Sequence, residues 1–460
     1  MNRNEEYRAL LAEPLPPGLE GTAGRALARY RARRRLRLWS VPAGSLAACF
    51  VGFMLLVNLF PPFARACGGV PLLRELAKAV AWSPSLSAAV EHDYVQPIGQ
   101  SQTENGVTAT VEYVIVDQRQ LNIYYTLDTR SQGPLEADCT LELEECGGVS
   151  SSSGSFGTPN GELRSFRVDF IDRDMPDTLE LRMQIYRGHS SEEPAAPEAS
   201  VEDSLFLPPD PVPGYLADFR FRLEFSPYFT AQGERIPIGA AVVLDGQTVT
   251  VTEAEVYPTH MRLNLAMDPA NTAWLTGLDF YLETETGDTF VPSTNGLLST
   301  GLAGGSSQGS LWLDSPYFSG GEHLTLHITG ARWQDKENAR VRLNLAEGTA
   351  ENLPENVRFL GAERYPDGWL VSFALPREAD GGMYNLFSGS FWDEAGEPHD
   401  IWQNSSTFGW VDPETGERRD EETWFTEEFP LAGLQGNTAY LEPHFNRETA
   451  FAAPVSVPVK

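Results

Sequence analysis

Few side chains in this 460-residue sequence stand at spacings that could do chemistry. Gly305-Ser306-Ser307-Gln308-Gly309 fits the G-x-S-x-G pattern of a nucleophilic serine. Such an elbow needs a strand before it, a helix after it, and an acid and a histidine further on. Here the motif sits in the Gly/Ser string GLAGGSSQGS, and no helical pattern follows. His323 and His327 lie four apart, but HLTLHITG alternates as a strand does, and a metal site needs more ligands than these two. The acidic run around Asp412 to Glu422 lacks the alternating Asp/Asn ligands and closing Glu of a calcium loop, and reads as a solvated hairpin. No phosphate-binding glycine motif occurs. These residues predict no enzyme, no metal site and no cofactor.

Four cysteines are present. Cys49 falls in an apolar run and Cys67 just beyond it, while Cys139 and Cys146 lie seven positions apart in CTLELEECGG. No C-x-x-C zinc spacing exists. In an oxidising compartment Cys139 and Cys146 could close a small disulfide loop; two unpaired thiols are the alternative. Aromatic residues crowd the last hundred positions: Tyr384, Phe387, Phe391, Trp392, Trp402, Phe408, Trp410, Trp424 and Phe425. Exposed, they could bind glycans or a partner surface. Their spacing in β-patterned segments favours a core.

The elements that would carry these residues begin with Leu38 to Phe60, which contains no Asp, Glu, Lys or Arg. As a helix it spans roughly 34 Å, enough for a ~30 Å hydrocarbon core. Arg31, Arg33, Arg34, Arg35 and Arg37 crowd its near end, and Arg65 alone closely flanks the far end. The bias of basic residues predicts a single-pass anchor in the cell membrane, N-terminus in the cytoplasm and C-terminal region outside. A cleaved signal peptide is the rival, with Ala64-Arg65-Ala66 as its cleavage pattern. The apolar core exceeds the usual 7–15 residues, which favours the anchor.

Charge divides the same way. Residues 1–37 hold nine Arg and four Glu, and residues 61–460 hold 25 basic and 60 acidic groups. The outer part is thus expected to repel nucleic acid and anionic lipid. Its length allows two to four compact domains.

Beyond the run, Pro71 starts a helical pattern, PLLRELAKAVAW, that Ser83-Pro84 stops. The period then changes to two. Val107, Ala109, Val111, Tyr113 and Ile115 alternate with mainly polar neighbours, as do Leu121, Ile123, Tyr125 and Leu127, so two strands meet at a polar turn. Asp245 to Asp268 aligns on Asn105 to Asp128 without a gap. A fainter third copy matches Ala254, Glu255, Tyr257 and Pro258 to Ala362, Glu363, Tyr365 and Pro366, and Met261, Leu263, Leu265 and Met267 to Trp369, Val371, Phe373 and Leu375. Three copies in register predict a mainly β architecture of three related sandwich domains. The expected organisation is a cytoplasmic leader (1–37), a transmembrane helix (38–60), a juxtamembrane helix and connector (61–94), and β domains at 95–232, 233–347 and 348–460. FRFRLEF, Phe219 to Phe225, reads as the closing strand of the first domain, and Val341 to Leu345 as a strand of the second.

Residues 1–37 are too few for a core of their own. Tyr7, Leu10 and Leu11 form one apolar helical face, and Leu19 and Leu27 belong to another. Such helices can order themselves in a partner's groove. A solvated tail that only sets topology is the other reading.

The string VNLFPPFARACGGVPLLRELAKAV, through Asn58, Pro62, Phe63, Ala64, Val70, Pro71 and Leu72, resembles the membrane junction of single-pass, anti-sigma-factor-like bacterial proteins. NGVTATVEYVIVDQRQLNIYYTL resembles the strand pair beyond that junction, and EYRALLAEPLPPGLEGT their leader. The family is that of the domain of unknown function 4179, often followed by an immunoglobulin-like C-terminal domain, and the resemblance spans roughly residues 5–345. It implies tandem immunoglobulin-like domains outside and an extracytoplasmic-function sigma factor held by residues 1–37. The leader carries no His-x3-Cys-x2-Cys zinc element, and a third β domain is additional. The expected function is signal transduction by an anti-sigma-factor-like regulator, with an unknown envelope ligand outside and no nucleic acid bound. The alternative is an envelope-binding or adhesive protein without a cytoplasmic partner.

Overall fold

Apolar residues at every second position give this chain strands, and among the described residues the strands form seven sheets around three cores in a computed structural model. The structure describes Arg8 and residues 71–460, apart from 130–132, 143–147, 155–156, 189–213, 294, 296, 303–305, 378–382, 402–403, 412–417 and 421–422. No described helix is long and apolar enough to cross a membrane; the run 38–60 lies outside the described residues.

Two helices lead in, α1 (Pro71–Val80) and α2 (Pro84–Glu91). Leu76 and Val80 of the first and Leu86 and Ala89 of the second are fully buried. Ser83-Pro84, a stop by its sequence pattern, is also a start. The Leu86 amide donates to Ser83 Oγ at 3.4 Å, and Pro84 takes the first helical turn, where a missing N–H costs nothing.

The first unit holds β1 (Gln96–Glu104), β2 (Val107–Val116), β3 (Gln120–Thr129), β4 (Leu135–Glu142), β5 (Val149–Ser153), β6 (Arg164–Phe170), β7 (Thr178–Arg187) and β8 (Ala217–Glu224). The sheets β1-β2-β3-β6-β5 and β4-β7-β8 share one core. β8 alternates strictly between buried and exposed residues, as FRFRLEF predicts. A short helix, α3 (Pro227–Thr230), comes next. β5 lies in a Ser/Gly stretch with the composition of a loop: its serines gain a ladder along β6, which no apolar pattern announces.

The second unit holds β9 (Glu234–Leu244), β10 (Gln247–Val256), β11 (Met261–Met267), β12 (Ala273–Thr284), β13 (Thr289–Phe290), β14 (Ser299–Thr300), β15 (Gln308–Leu313) and β16 (Leu324–Asp335). The third holds β17 (Val341–Asn344), β18 (Thr349–Glu351), β19 (Arg358–Tyr365), β20 (Gly368–Pro376), β21 (Phe387–Trp392), β22 (Pro398–Asp400), β23 (Ser405–Phe408), β24 (Trp410–Val411), β25 (Arg418–Arg419), β26 (Trp424–Ala432) and β27 (Thr438–Pro443). The last strand, β28 (Arg447–Pro458), leaves the third unit and pairs with β16, completing the sheet β13-β12-β16-β28 opposite β14-β15-β11-β10-β9. Val457 and Val459 enter the second core, whereas Val341, Leu343 and Leu345 enter the third. The third unit is therefore inserted between two strands of the second. This differs from a division at 347/348, because alternation reveals that a segment is a strand but not which strand it joins.

The three-fold repetition extends to backbone irregularities. β2–β3, β10–β11 and β19–β20 are antiparallel hairpins in which Val116 faces Leu121, Val256 faces Met261 and Arg364 faces Trp369. Each carries a register shift at the aligned place, around Glu112, Thr252 and Leu360. The preceding turns also coincide: Asn105-Gly106 and Asp245-Gly246 all have positive φ, as a tight hairpin turn demands. The bulge corrects one expectation. An extra residue reverses the facing of every later residue in the strand. Val114 and Val116 therefore enter the first core in place of Tyr113 and Ile115, which are buried outside it.

Candidate functional site

The polar turns of the first two hairpins meet each other. Asp117 directly follows β2 and is fully buried. Its Oδ1 accepts from the amides of Arg119 and Gln120, each at 2.9 Å, which shapes its own turn. Its Oδ2 accepts from Thr259 N at 3.0 Å and Thr259 Oγ1 at 2.6 Å, in the turn of the second hairpin. Burial pushes the carboxyl up to about 6, against the pull of these four donors. His260, also buried and 2.9 Å from Thr259 Oγ1, is lowered to about 3 by burial and by the nearby Arg262 and Arg119 charges, and is neutral at physiological pH.

Contacts run both ways. Arg119 of the first turn donates from Nε to Tyr257 Oη of the second at 3.4 Å. In the repeat, Asp117 aligns with Tyr257 and Arg119 with Thr259. Each turn thus uses its first position to meet the other's third, the reciprocal pattern of a two-fold interface. Around it Glu255 accepts from Arg262 Nε at 3.2 Å, Asn264 Nδ2 at 2.7 Å and the Tyr257 hydroxyl. Burial pushes Glu255 up, but these bonds and the Arg262 charge outweigh it and hold it down at about 2. Arg262 also donates to the Ile171 carbonyl of the first unit at 2.7 Å. On the other flank Asn295 Nδ2 donates to Gln120 Oε1 at 2.9 Å and Asn122 Oδ1 at 3.2 Å.

The entering helix is clamped onto this junction. Ser85 of α2 donates to Asp314 Oδ1 at 3.2 Å and accepts from the Ser315 amide at 2.8 Å, both just beyond β15. Burial raises Asp314 to about 6, with the Ser85 bond opposing. His92 stacks on Phe318 with centroids 4.6 Å apart, and Tyr94 donates to the Phe229 carbonyl at 2.5 Å. The segment from α2 into β1 therefore touches both units where they meet.

A second feature lies on the third unit. A cleft of about 470 Å³ is lined by Leu360, Glu363, Leu370, Ser372 and Glu428 of the sheet β19-β20-β26-β23, and by Trp410. Of the aromatics singled out in the sequence, Phe387, Phe391 and Phe425 fill the core and Trp410 is buried. Phe408 is about half exposed, and Tyr384, Trp392 and Trp424 are half-buried. Arg358 lies over both Trp410 and Trp424, 4.9 and 4.7 Å from their rings.

Tyr7, Leu10, Leu11, Leu19, Leu27 and the arginines 31, 33, 34, 35 and 37 lie outside the described residues, as do Cys146 and Trp402. Cys139 is a buried thiol in the first core, pushed up to about 12 by burial. Ser306 Oγ is engaged with Gln308 backbone atoms. His327 sits in β16 beside Glu283 and Ser456. Among the described residues no group of three or more His, Cys, Asp or Glu could hold a metal ion. The junction is not foreseen from the sequence, although its residues stand in the aligned turns, DQRQ and YPTH. Two equivalent turns with unlike polar residues are the available signal.

Residues 34–129 match the family described as a domain of unknown function (DUF4179), and residues 233–354 match a family of unknown function (DUF5643). No curated protein matches the chain. One solved structure, a conserved domain protein from Bacillus anthracis, is similar at 14% identity over 56% of this chain and 85% of its own, with a TM-score of 0.37. The first match spans the apolar run, both entering helices and the first bulged hairpin, and the second begins at the strand that opens the second unit.

Proposed function

We propose that the chain is a membrane-anchored, anti-sigma-factor-like regulator whose outer, immunoglobulin-like β sandwiches sense an envelope signal. The observation that carries this reading is the docking of α2 onto the junction of the first two units through Ser85, Asp314 and Ser315. A helix close behind the apolar run is gripped where two units meet. A change in how those units pack is then felt at the membrane, because packed interfaces switch between discrete arrangements rather than deforming smoothly. The domain match supports it, since apolar run and first hairpin fall inside one unit of similarity. Residues 1–37, with Tyr7, Leu10, Leu11, Leu19 and Leu27, supply the contact with an extracytoplasmic-function sigma factor. Capture of the full chain from solubilised membranes tests this: a sigma factor co-purifies with the intact chain and not with one lacking residues 2–30. A chain that brings down no sigma factor contradicts it.

The cleft beside Trp410 and the exposed Phe408 favour a second reading, an envelope-binding or adhesive protein with no cytoplasmic partner. Deleting residues 2–30 separates the two. Under this reading envelope binding and transcription both survive the deletion; under the first, transcriptional control is lost.

A further inference from the structure

One face of the second unit gathers an acid, a base and a hydroxyl that neither function proposed above uses. β12, β16 and β28 lie side by side, and their register sets Tyr281, His327 and Ser456 in one row across the sheet. Glu283 stands two residues along β12 from Tyr281, so its side chain shares that face. Val455 and Val457 of β28 turn toward the second core, and Ser456 between them is exposed. His327 Nδ1 lies 2.9 Å from Ser456 Oγ, and its Nε2 lies 3.2 Å from Glu283 Oε2. Tyr281 stacks on the ring with centroids 4.8 Å apart. The imidazole is thus held on two edges and one face.

The tautomer follows from these partners. A carboxylate only accepts, so Nε2 of the neutral ring carries the proton and Nδ1 keeps a lone pair. The hydrogen shared at Nδ1 then comes from the serine. A hydroxyl donating to an imidazole that an acid orients is the arrangement of an activated nucleophile. The backbone adds a donor. Val459 N donates to the Leu324 carbonyl at 2.8 Å, so residues 459, 457 and 455 turn their amides toward β16. The Ser456 amide points the other way, to the edge where no described strand pairs, and Pro458 in the same phase has no N–H to lose there. An amide on the nucleophile's own residue is placed to bond the oxyanion that forms when Oγ adds to a carbonyl. We infer that Ser456, His327 and Glu283 form an acyl-transfer site for esters that reach this open face from solvent. Ser456 Oγ bonds to the ester carbonyl carbon as its proton passes to His327 Nδ1. The ring gives that proton to the departing alkoxide, leaving an acyl-serine and an alcohol. Water then adds to the acyl carbon, losing a proton to the same nitrogen, and the serine oxygen takes that proton as the acid leaves. Glu283 touches only the ring and is a positioning residue.

The test uses the full chain in detergent with p-nitrophenyl acetate as the probe. Nitrophenolate release is followed by absorbance, and the acetylated residue is located by mass spectrometry after acid quenching. The wild type is expected to carry the acetyl group on Ser456, and Ser456→Ala abolishes that mark. His327→Gln slows acetylation of Ser456 at least about a hundredfold, and Glu283→Ala slows it about tenfold. The nitrogen NMR spectrum of the His327 ring shows one tautomer, protonated at Nε2, in the wild type and a mixture in Glu283→Ala. His323→Gln, at an exposed histidine four residues earlier, leaves the reaction unchanged. Thermal unfolding of each variant checks that the fold is kept. A wild type that takes no acetyl group at Ser456 overturns the inference, and so does acetylation that either His327→Gln or Glu283→Ala leaves unaltered.

Discussion

Asp117 and Thr259 stand 142 residues apart and bond twice, through the threonine amide at 3.0 Å and its hydroxyl at 2.6 Å. They belong to aligned turns, two places out of step, so the contact is one half of a reciprocal pair completed by Arg119 and Tyr257. No solvent reaches the carboxylate. Replacing it strands four donors at once. Asp117→Ala should therefore cost about 3 kcal/mol or more of unfolding free energy. Thr259→Val, which keeps the amide bond, should cost about 1 kcal/mol. Chemical denaturation of both variants checks the order; equal losses would contradict it.

Close packing at the same junction sets a steric limit. A Cβ at Gly233, where the chain passes into the second unit, would lie 2.6 Å from two carbons of the Tyr257 ring. The ring is itself tied to Glu255 and Arg119. Gly233→Ala should therefore destabilise by about 1–3 kcal/mol as the ring is displaced. Near-ultraviolet circular dichroism should report the tyrosine's move, and an unchanged spectrum with unchanged stability would show the site to be slack.

The third unit carries its own pH signature. Glu427 is sealed among Phe425, Phe429 and other core residues of that unit, and accepts from Asn404 Nδ2 at 2.7 Å and the Leu386 amide at 3.3 Å. Burial raises it to about 7, with both bonds opposing. The folded form holds its proton more tightly than the unfolded one. Its contribution is present below the unfolded value near 4.5 and is lost as pH rises through about 7. Glu427→Gln should remove that loss, gaining on the order of 2 kcal/mol over the wild type at pH 8 and little at pH 4.5. Thermal melts at the two pH values test it; a variant whose relative stability is the same at both would refute the burial argument.

Ser85 is the bolt between α2 and the second unit. Ser85→Ala leaves the buried Ser315 amide without its acceptor and should cost about 1–2 kcal/mol. The loss should be local: hydrogen exchange should speed up across α2 while the core of the third unit is unaffected. Uniform acceleration would mean that the helix is not a separate coupling element.

Local repetition is legible in the sequence. The alternation around Val249, Val251, Leu263 and Leu265 locates the second hairpin, and the gapless alignment puts Asp117 opposite Tyr257 in a matched turn. Features that depend on partners far away in the chain are not legible. Nothing near Val455 or Val457 says that β28 will leave the third unit for β16. Nothing in VTATVEYVIV marks Glu112 as the bulge that turns Val114 inward, because Tyr113 and Ile115 are apolar too. Ser83-Pro84 carries a readable signal for α2, a cap residue before a proline, which the same two residues hide by also ending α1. Asp117, Thr259 and Asn295 are ordinary turn residues by type, and only the meeting of two copies gives them a shared role.

The proposed role requires that residues 1–37 and the β units lie on opposite sides of a membrane. Tags placed at the two ends of the full chain, with protease added to intact cells, measure this directly. The expected result is loss of the C-terminal tag while the N-terminal tag stays attached to a fragment ending shortly after the apolar run. Survival of the C-terminal tag, or a mature chain that begins near Cys67, would contradict a membrane-anchored regulator.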